Sequence, residues 1–361
     1  MTVTGGFPAP GPQEREPVRD RSDAVPPPTG HPLQLQMAML TAHKPGIVPL
    51  RPLTLGDILD GAVKAVRFNP KSMVGLSAIV LGAFLVPSAA AVIGVARLVP
   101  GSLSTPQPGD KLTPSDFLAA TLLGLLPTMV QTLFTVLATA LLSGLLIHVL
   151  GQAVLGRKPD LGQTWRSTRG RLPALLALTF LSLLFALLVI AVLIGPGVLL
   201  LLNDDIAAGV ILLLVGLLGL VAVDLAVSTR IAFAAPAIVL EGHGVFAGLR
   251  RSFALTKGVV FWRVLGIMLL AAIIAQFVGS LLGAPFFFVA LFITGVTGQD
   301  SETGQMLVTF ITHLSALLTG AITTPFVAAV TGLLYIDRRM RLEALDVILL
   351  REAQTNPAPR I

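Results

Sequence analysis

ALLALTFLSLLFALLVIAVLIGPGVLLLL (residues 174–202), NDD (203–205) and IAAGVILLLVGLLGLVAVDLAVS (206–228) are the stretch that decides the fold. The two apolar runs hold one charged residue between them, Asp224. Each is longer than the ~20 helical residues that cross a ~30 Å hydrocarbon layer at 1.5 Å per residue. Lipid offers no water to satisfy backbone N–H and C=O groups, so such a run closes its hydrogen bonds as a helix or within a closed barrel. Period-2 alternation, the mark of a barrel strand, is absent. A three-residue connection leaves the second run only one way to go, back beside the first as an antiparallel hairpin.

The rest of the 361-residue chain repeats the pattern. Hydrophobic residues make up 54% and charged residues 12% of it, too apolar a mixture for a water-exposed surface. Four further apolar segments lie at about 73–96, 118–150, 259–294 and 307–336, which brings the expected spans to six. Two of them exceed one perpendicular crossing and contain Pro127 and Pro285, where a kink is expected because proline removes an N–H and crowds the preceding turn. The expected fold is all-α, a polytopic transmembrane bundle over residues 49–350. A Pro/Gly-rich disordered tail is expected over 1–48 and a short polar tail over 351–361. No apolar segment follows the first methionine, so no cleaved signal peptide is expected.

Short amphipathic segments precede the spans. Thr54 and Asp57 form a variant capping box ahead of a helix with Leu55, Ile58, Leu59, Ala62, Val63 and Val66 on one stripe, and Asn69-Pro70 ends it. The stripe predicts an interfacial helix lying on the inner membrane surface. Similar basic segments start near Asp160 and near His243, each ahead of a pair of spans, which gives a threefold pattern with little residue identity between its units.

The net charge of +6 is distributed by membrane side. Arg51, Lys64, Arg67 and Lys71 precede the first span, Arg157, Lys158, Arg166, Arg169 and Arg171 lie between the second and third, and Arg250, Arg251, Lys257 and Arg263 adjoin the fifth. The opposite connections carry Asp110, Asp116, Asp204, Asp205, Asp300 and Glu302. Basic flanks stay in the cytoplasm, so both termini are expected there, and the positive charge needs no nucleic-acid partner. Asp337, Arg338, Arg339, Arg341 and Glu343 mark the expected exit of the sixth span into water.

Few polar residues fall within the spans. Asp224 reads either as a proton or cation site or as a carboxyl near the interface bonded to a hydroxyl such as Ser228. His148 and His313 read as proton-carrying groups or as hydrogen-bonded packing residues. Gln276, like Gln131, either contacts a polar substrate or bonds a neighbouring helix. Gly279 and Gly283 have the spacing of close helix approach. Arg166, Arg169, Arg250, Arg251 and Arg263 are candidate contacts for anionic lipid headgroups, and Trp165 and Trp262 are expected interfacial anchors. No phosphate loop, metal-binding helix or nucleophile turn occurs, and a chain without cysteine and with five histidines offers little for a metal centre. No enzymatic activity and no cofactor are expected.

Three stretches carry a family resemblance: RPLTLGDILDGAVKAVRFNPKSMVGLSAIV from Arg51, PAIVLEGHGVFAGLRRSFALTKGVVFWRVLG from Pro236 and TTPFVAAVTGLLYIDRRMRLEALDV from Thr323. Together they resemble the bacterial glycerophosphoryl diester phosphodiesterase membrane domain, over about residues 51–347. The resemblance implies a multi-pass protein of the bacterial cytoplasmic membrane. It supplies no catalytic residue, and the soluble phosphodiesterase domain that gives the family its name has no counterpart in this chain. The leading functional expectation is a non-enzymatic membrane component that binds membrane lipid or a protein partner. The alternatives are a transporter using Asp224 in a kinked bundle, and a membrane domain linked to glycerophosphodiester or lipid metabolism.

Overall fold

The computed structural model describes residues 46–49, 51–98, 114–203, 205–298 and 301–343, with the side chains of all but 96–98 and 114–124. Among the described residues the secondary structure is helical, with no strand. The helices are α1 (Leu55–Phe68), α2 (Leu76–Leu98), α3 (Pro114–Val154), α4 (Leu161–Thr168), α5 (Leu172–Leu202), α6 (Ile206–Ile231), α7 (Ala234–Glu241), α8 (Val245–Leu255), α9 (Val260–Thr297) and α10 (Glu302–Glu343). Six helical stretches are long and apolar enough to cross a membrane, and they contain α2, α3, α5, α6, α9 and α10. The protein is therefore an all-α bundle with six membrane-spanning helices.

Consecutive spans pair as three hairpins, α2–α3, α5–α6 and α9–α10, and each is preceded by a short amphipathic helix, α1, α4 or α8. All three short helices consequently sit at the same end of the bundle, here called the basic end. Local chemistry sets where two of them start. Thr54 caps α1, its hydroxyl accepting from the Asp57 amide while the Asp57 carboxylate accepts from the Thr54 amide. Asp160 and Gln163 do the same for α4. Helix α8 starts at Gly244 with no side-chain cap.

The packed core lies at the basic end. Leu53, Ile58, Met73, Leu142, Leu146, Leu150, Phe233, Leu333 and Tyr335 are all buried there in one cluster. By contrast α5 and α6 expose Phe180, Leu184, Leu188, Leu199, Ile211, Leu214 and Leu218, the all-round apolar surface of a hairpin standing in lipid. Within that hairpin the two backbones touch through glycine: a Cβ on Gly216 would collide with the Leu193 carbonyl, and one on Gly197 or Gly209 with Leu213 or Leu201.

Several expectations need revision. Helix α1 divides its apolar stripe between the protein and its exposed side. Ile58, Gly61, Ala62 and Ala65 are buried while Leu55 and Val63 are exposed, because the helix packs its small-residue edge on α10 and on Val48. Ile47 and Val48, assigned to the tail, belong to the core, and the Ile47 amide donates to the Ala153 carbonyl. Asp337 is no exit into water, since it is fully buried and α10 continues as one helix to Glu343. Residues 1–45 and 344–361 lie outside the described residues, as do Asp110, Lys111, Asp204 and Asp300 and the side chain of Asp116.

Candidate functional site

The charged residues at the basic end form two nodes, both built on the last turns of α10. Asp337 is the centre of the first. Its carboxylate accepts from the Leu53 amide at 2.7 Å, from Arg263 Nη1 at 2.9 Å and from Arg341 Nε at 2.9 Å. The same two guanidiniums donate to the Leu53 carbonyl, at 3.0 Å from Arg263 and 2.9 Å from Arg341. The Leu53 amide is thus satisfied by the carboxylate, while two forked cations saturate both that carboxylate and the Leu53 carbonyl, an arrangement that lysine could not reproduce. It fixes the entry to α1 against the start of α9 and the end of α10.

Glu241, the last residue of α7, is the centre of the second node. It accepts from the Tyr335 hydroxyl and from Arg251 Nη2, with Arg339 Nε at 3.3 Å and His243 Nε2 at 2.9 Å. Arg251 Nε lies 3.3 Å from Glu241 Oε2 as an ion pair without hydrogen-bond alignment. Glu343, one turn beyond Arg339, bonds both Arg251 and Arg339. Burial disfavours the Arg251 cation, but the Glu343 and Glu241 carboxylates outweigh it and hold its pKa above the ordinary arginine value. Glycine is required immediately after Glu241, where Gly242 turns the chain at φ +75° beside the Arg171 guanidinium.

Further arginines cap helix ends. Carbonyls in the last turn of a helix have no intrahelical partner. Arg230 donates to the Thr256 carbonyl just past α8 and lies over the Phe261 ring, Arg338 donates to the Leu255 carbonyl, and Arg171 to that of Ile238. Ser252 completes the joint between α6 and α8, donating to the Arg230 carbonyl at 2.6 Å and accepting from the Phe233 amide at 3.0 Å. All this is positioning chemistry. The buried carboxylates are committed to arginines, and no group of three or more metal-ligating residues occurs among the described residues.

A second set of basic residues is left over. Arg67, Lys71, Arg166, Arg169, Arg250 and Lys257 are exposed at the same end and pair with no carboxylate among the described residues. Trp165 and Trp262 are exposed beside them. Lys71 and Lys158 flank a recess of about 470 Å³ between the end of α1 and the start of α4, floored by the Pro159 carbonyl, which accepts from Asn69 and Ser72.

Of the candidates read from sequence, Arg166, Arg169 and Arg250 are therefore exposed, whereas Arg251 and Arg263 are absorbed into the two nodes. Asp224 is exposed on α6 and bonds no described residue, and the Ser228 hydroxyl donates instead to the Leu225 carbonyl. His313 is buried against Ser88 of α2, with 3.2 Å between His313 Nε2 and Ser88 Oγ, while His148 is half-buried in α3. Gln276 is exposed on α9, and Gly279 and Gly283 meet Thr319 and Ser315 of α10. Sequence reading missed Glu241 and Tyr335, and took Glu343 only as a mark of the exit into water. The clue was available in the four-residue spacing of Tyr335, Arg339 and Glu343, which puts them on one face of α10, and in the fact that Tyr335 is the only tyrosine in the chain.

No family model, no curated protein and no solved structure matches the chain. The family resemblance accordingly rests on the three quoted stretches. Those stretches converge in space: Leu53 comes from the first, Glu241, Arg251, Ser252 and Arg263 from the second, and Tyr335, Asp337, Arg339, Arg341 and Glu343 from the third.

Proposed function

We propose that the protein is a non-enzymatic, multi-pass component of a bacterial cytoplasmic membrane that holds anionic lipid headgroups at its basic end, with that end and both termini in the cytoplasm. The division of labour among the basic residues carries this reading. Arginines needed for structure are neutralised by Asp337, Glu241 and Glu343 or spent on carbonyls, while a second set remains exposed at the basic end, where Trp165 and Trp262 are exposed as well. Each such cation near an anionic surface adds about 1 kcal/mol of attraction. On the three converging stretches we also propose membership of the glycerophosphoryl diester phosphodiesterase membrane domain family, and with it a setting in lipid or glycerophosphodiester metabolism. A transporter working through Asp224 draws no support from the exposed position of that residue on α6.

The test is lipid mass spectrometry on protein extracted in native-lipid discs, with an unrelated six-span protein as control. Enrichment of anionic lipid over the control is expected, and its loss in an Arg166→Gln, Arg169→Gln, Arg250→Gln variant that still elutes as folded protein. Lipid composition identical to that of the control would overturn the reading.

A further inference from the structure

We propose that α10 carries a hydroxyl-lined track along which the headgroup of a phospholipid passes between the two leaflets while its acyl chains stay in the surrounding bilayer. The inference is independent of the headgroup binding proposed above, because it uses none of the exposed basic residues.

Two open-sided cavities border α10. One, of about 480 Å³, lies against α9 and is lined by Gln276, Ser280, Thr312, Ser315, Thr319 and Thr323, among others. The other, of about 350 Å³, lies against α3 and α7, with Thr139, Ser143, Thr323, Thr324 and Thr331 as its hydroxyl-bearing residues. Thr323 and Val327 line both. The geometry of the helix explains the connection. Ser315, Thr319, Thr323, Val327 and Thr331 form an i, i+4 row, and each such step advances about 40° around an α-helix, so the row winds from the α9 side to the α3 side.

The row has the right length. From Ser315 to Thr331 is about 24 Å at 1.5 Å per residue, most of the ~30 Å hydrocarbon thickness. The next positions in the row are Tyr335 and Arg339 at the Glu241 node, where the track ends among charged groups.

Its hydrogen-bonding character is specific. Thr312, Thr323, Thr331, Ser280, Thr139 and Ser143 each donate their hydroxyl proton to a carbonyl of their own helix. What they present outward is oxygen acceptors. Gln276 adds an amide with no partner among the described residues, in a part of the membrane where an unpaired amide is costly. Neither cavity is lined by a charged residue. Ser315 and Thr319 donate to no described residue, so the row offers uncharged acceptors with two hydroxyl donors among them, which fits a zwitterionic headgroup that brings N–H donors and phosphate oxygens, as an ethanolamine phospholipid does. A choline headgroup has no such donors, and an anionic one would carry its charge uncompensated.

The experiment is dithionite quenching of phospholipid labelled on an acyl chain, in vesicles containing the full-length protein or an unrelated six-span protein. Ethanolamine lipid is expected to cross about tenfold faster with the protein than with the control, and faster than choline or glycerol lipid. Thr319→Leu with Thr323→Leu fills the junction and should return crossing to the control rate. Thr323→Val removes the hydroxyl without changing shape and should slow crossing by about two- to tenfold, as loss of one hydrogen bond implies. A rate equal to the control overturns the proposal. So does acceleration that survives the Thr323→Val and paired leucine variants in protein that elutes as folded, or equal rates for ethanolamine and choline lipids.

Discussion

The Leu53 amide donates to the Asp337 carboxylate at 2.7 Å, joining the residue just ahead of the first helix to the last turns of the final span. Asp337 is fully buried and also receives Arg263 and Arg341, so this one side chain fixes three segments of the chain. Removing one partner of a buried, hydrogen-bonded ion pair leaves the other charge uncompensated, which costs about 3–5 kcal/mol. Asp337→Ala should therefore lower the thermal unfolding midpoint in detergent more than any single exposed substitution, such as Arg250→Gln. Arg263→Lys should recover only part of the loss, because an ammonium cannot serve both Asp337 and the Leu53 carbonyl as a fork does. Equal midpoints for Asp337→Ala and wild type would show that the clamp is incidental.

Tyr335 tests the second node without unbalancing its charge. Its hydroxyl donates to Glu241, and its ring meets Phe233 edge-on with centroids 5.8 Å apart. Tyr335→Phe retains the ring and removes one hydrogen bond to a charged acceptor, an interaction that contributes about 1.5–3 kcal/mol. Glu241→Gln should cost more, since Arg251 and Arg339 would then rely on Glu343 alone. The order wild type, Tyr335→Phe, Glu241→Gln in unfolding midpoint is the expected result. The reverse order of the two variants would place the stability in the Tyr335 hydroxyl rather than in the charge at Glu241.

How closely two helices approach can be tested at Gly216. A Cβ there would collide with the Leu193 backbone carbonyl, which no side-chain rotation relieves, whereas a Cβ on Gly195 meets nothing. Gly216→Ala should force α5 and α6 apart and lower the midpoint. Gly195→Ala should be neutral or raise stability by up to about 1 kcal/mol, because alanine loses less backbone entropy in a helix. Proteolysis or cysteine cross-linking across the hairpin would report the separation directly, and unchanged cross-linking in Gly216→Ala would refute the contact.

The bundle was legible in the sequence because lipid imposes a harsh rule: a run such as residues 206–228 with one charge has few alternatives to a spanning helix. Thr54 with Asp57 announced the start of α1, and Gly279 with Gly283 announced close packing, which occurs against Thr319 and Ser315. Asp337 was illegible for a physical reason. Charges that follow an apolar run look the same whether they meet water or a partner, and its partners lie 74 and 284 residues away in sequence, at Arg263 and Leu53. The α1 stripe shows a different limit. Periodicity gives the apolar face of a helix, but which edge of that face is buried depends on the neighbour, here Leu333 and Val48 against Gly61. Arg251 and Arg263 could not be told from Arg250 by composition, since only the fold decides which cation meets a carboxylate.

His313 offers a last discrimination, between a proton-carrying group and a cross-helix fastening. The ring lies between Ser88 Oγ at 3.2 Å and the Thr309 carbonyl at 2.8 Å. A carbonyl can only accept, so in the neutral ring Nδ1 carries the hydrogen and Nε2 accepts from the Ser88 hydroxyl. Both nitrogens are then occupied, and Ser88 and His313 are both buried. A double-mutant cycle with Ser88→Ala and His313→Phe should give a coupling of about 0.6 kcal/mol, within the ~1.7 kcal/mol ceiling seen for hydrogen bonds between membrane helices. Either single variant should leave the lipid content of native discs unchanged. A coupling of zero, or a change in bound lipid with His313→Phe, would mean that this histidine does more than join α2 to α10.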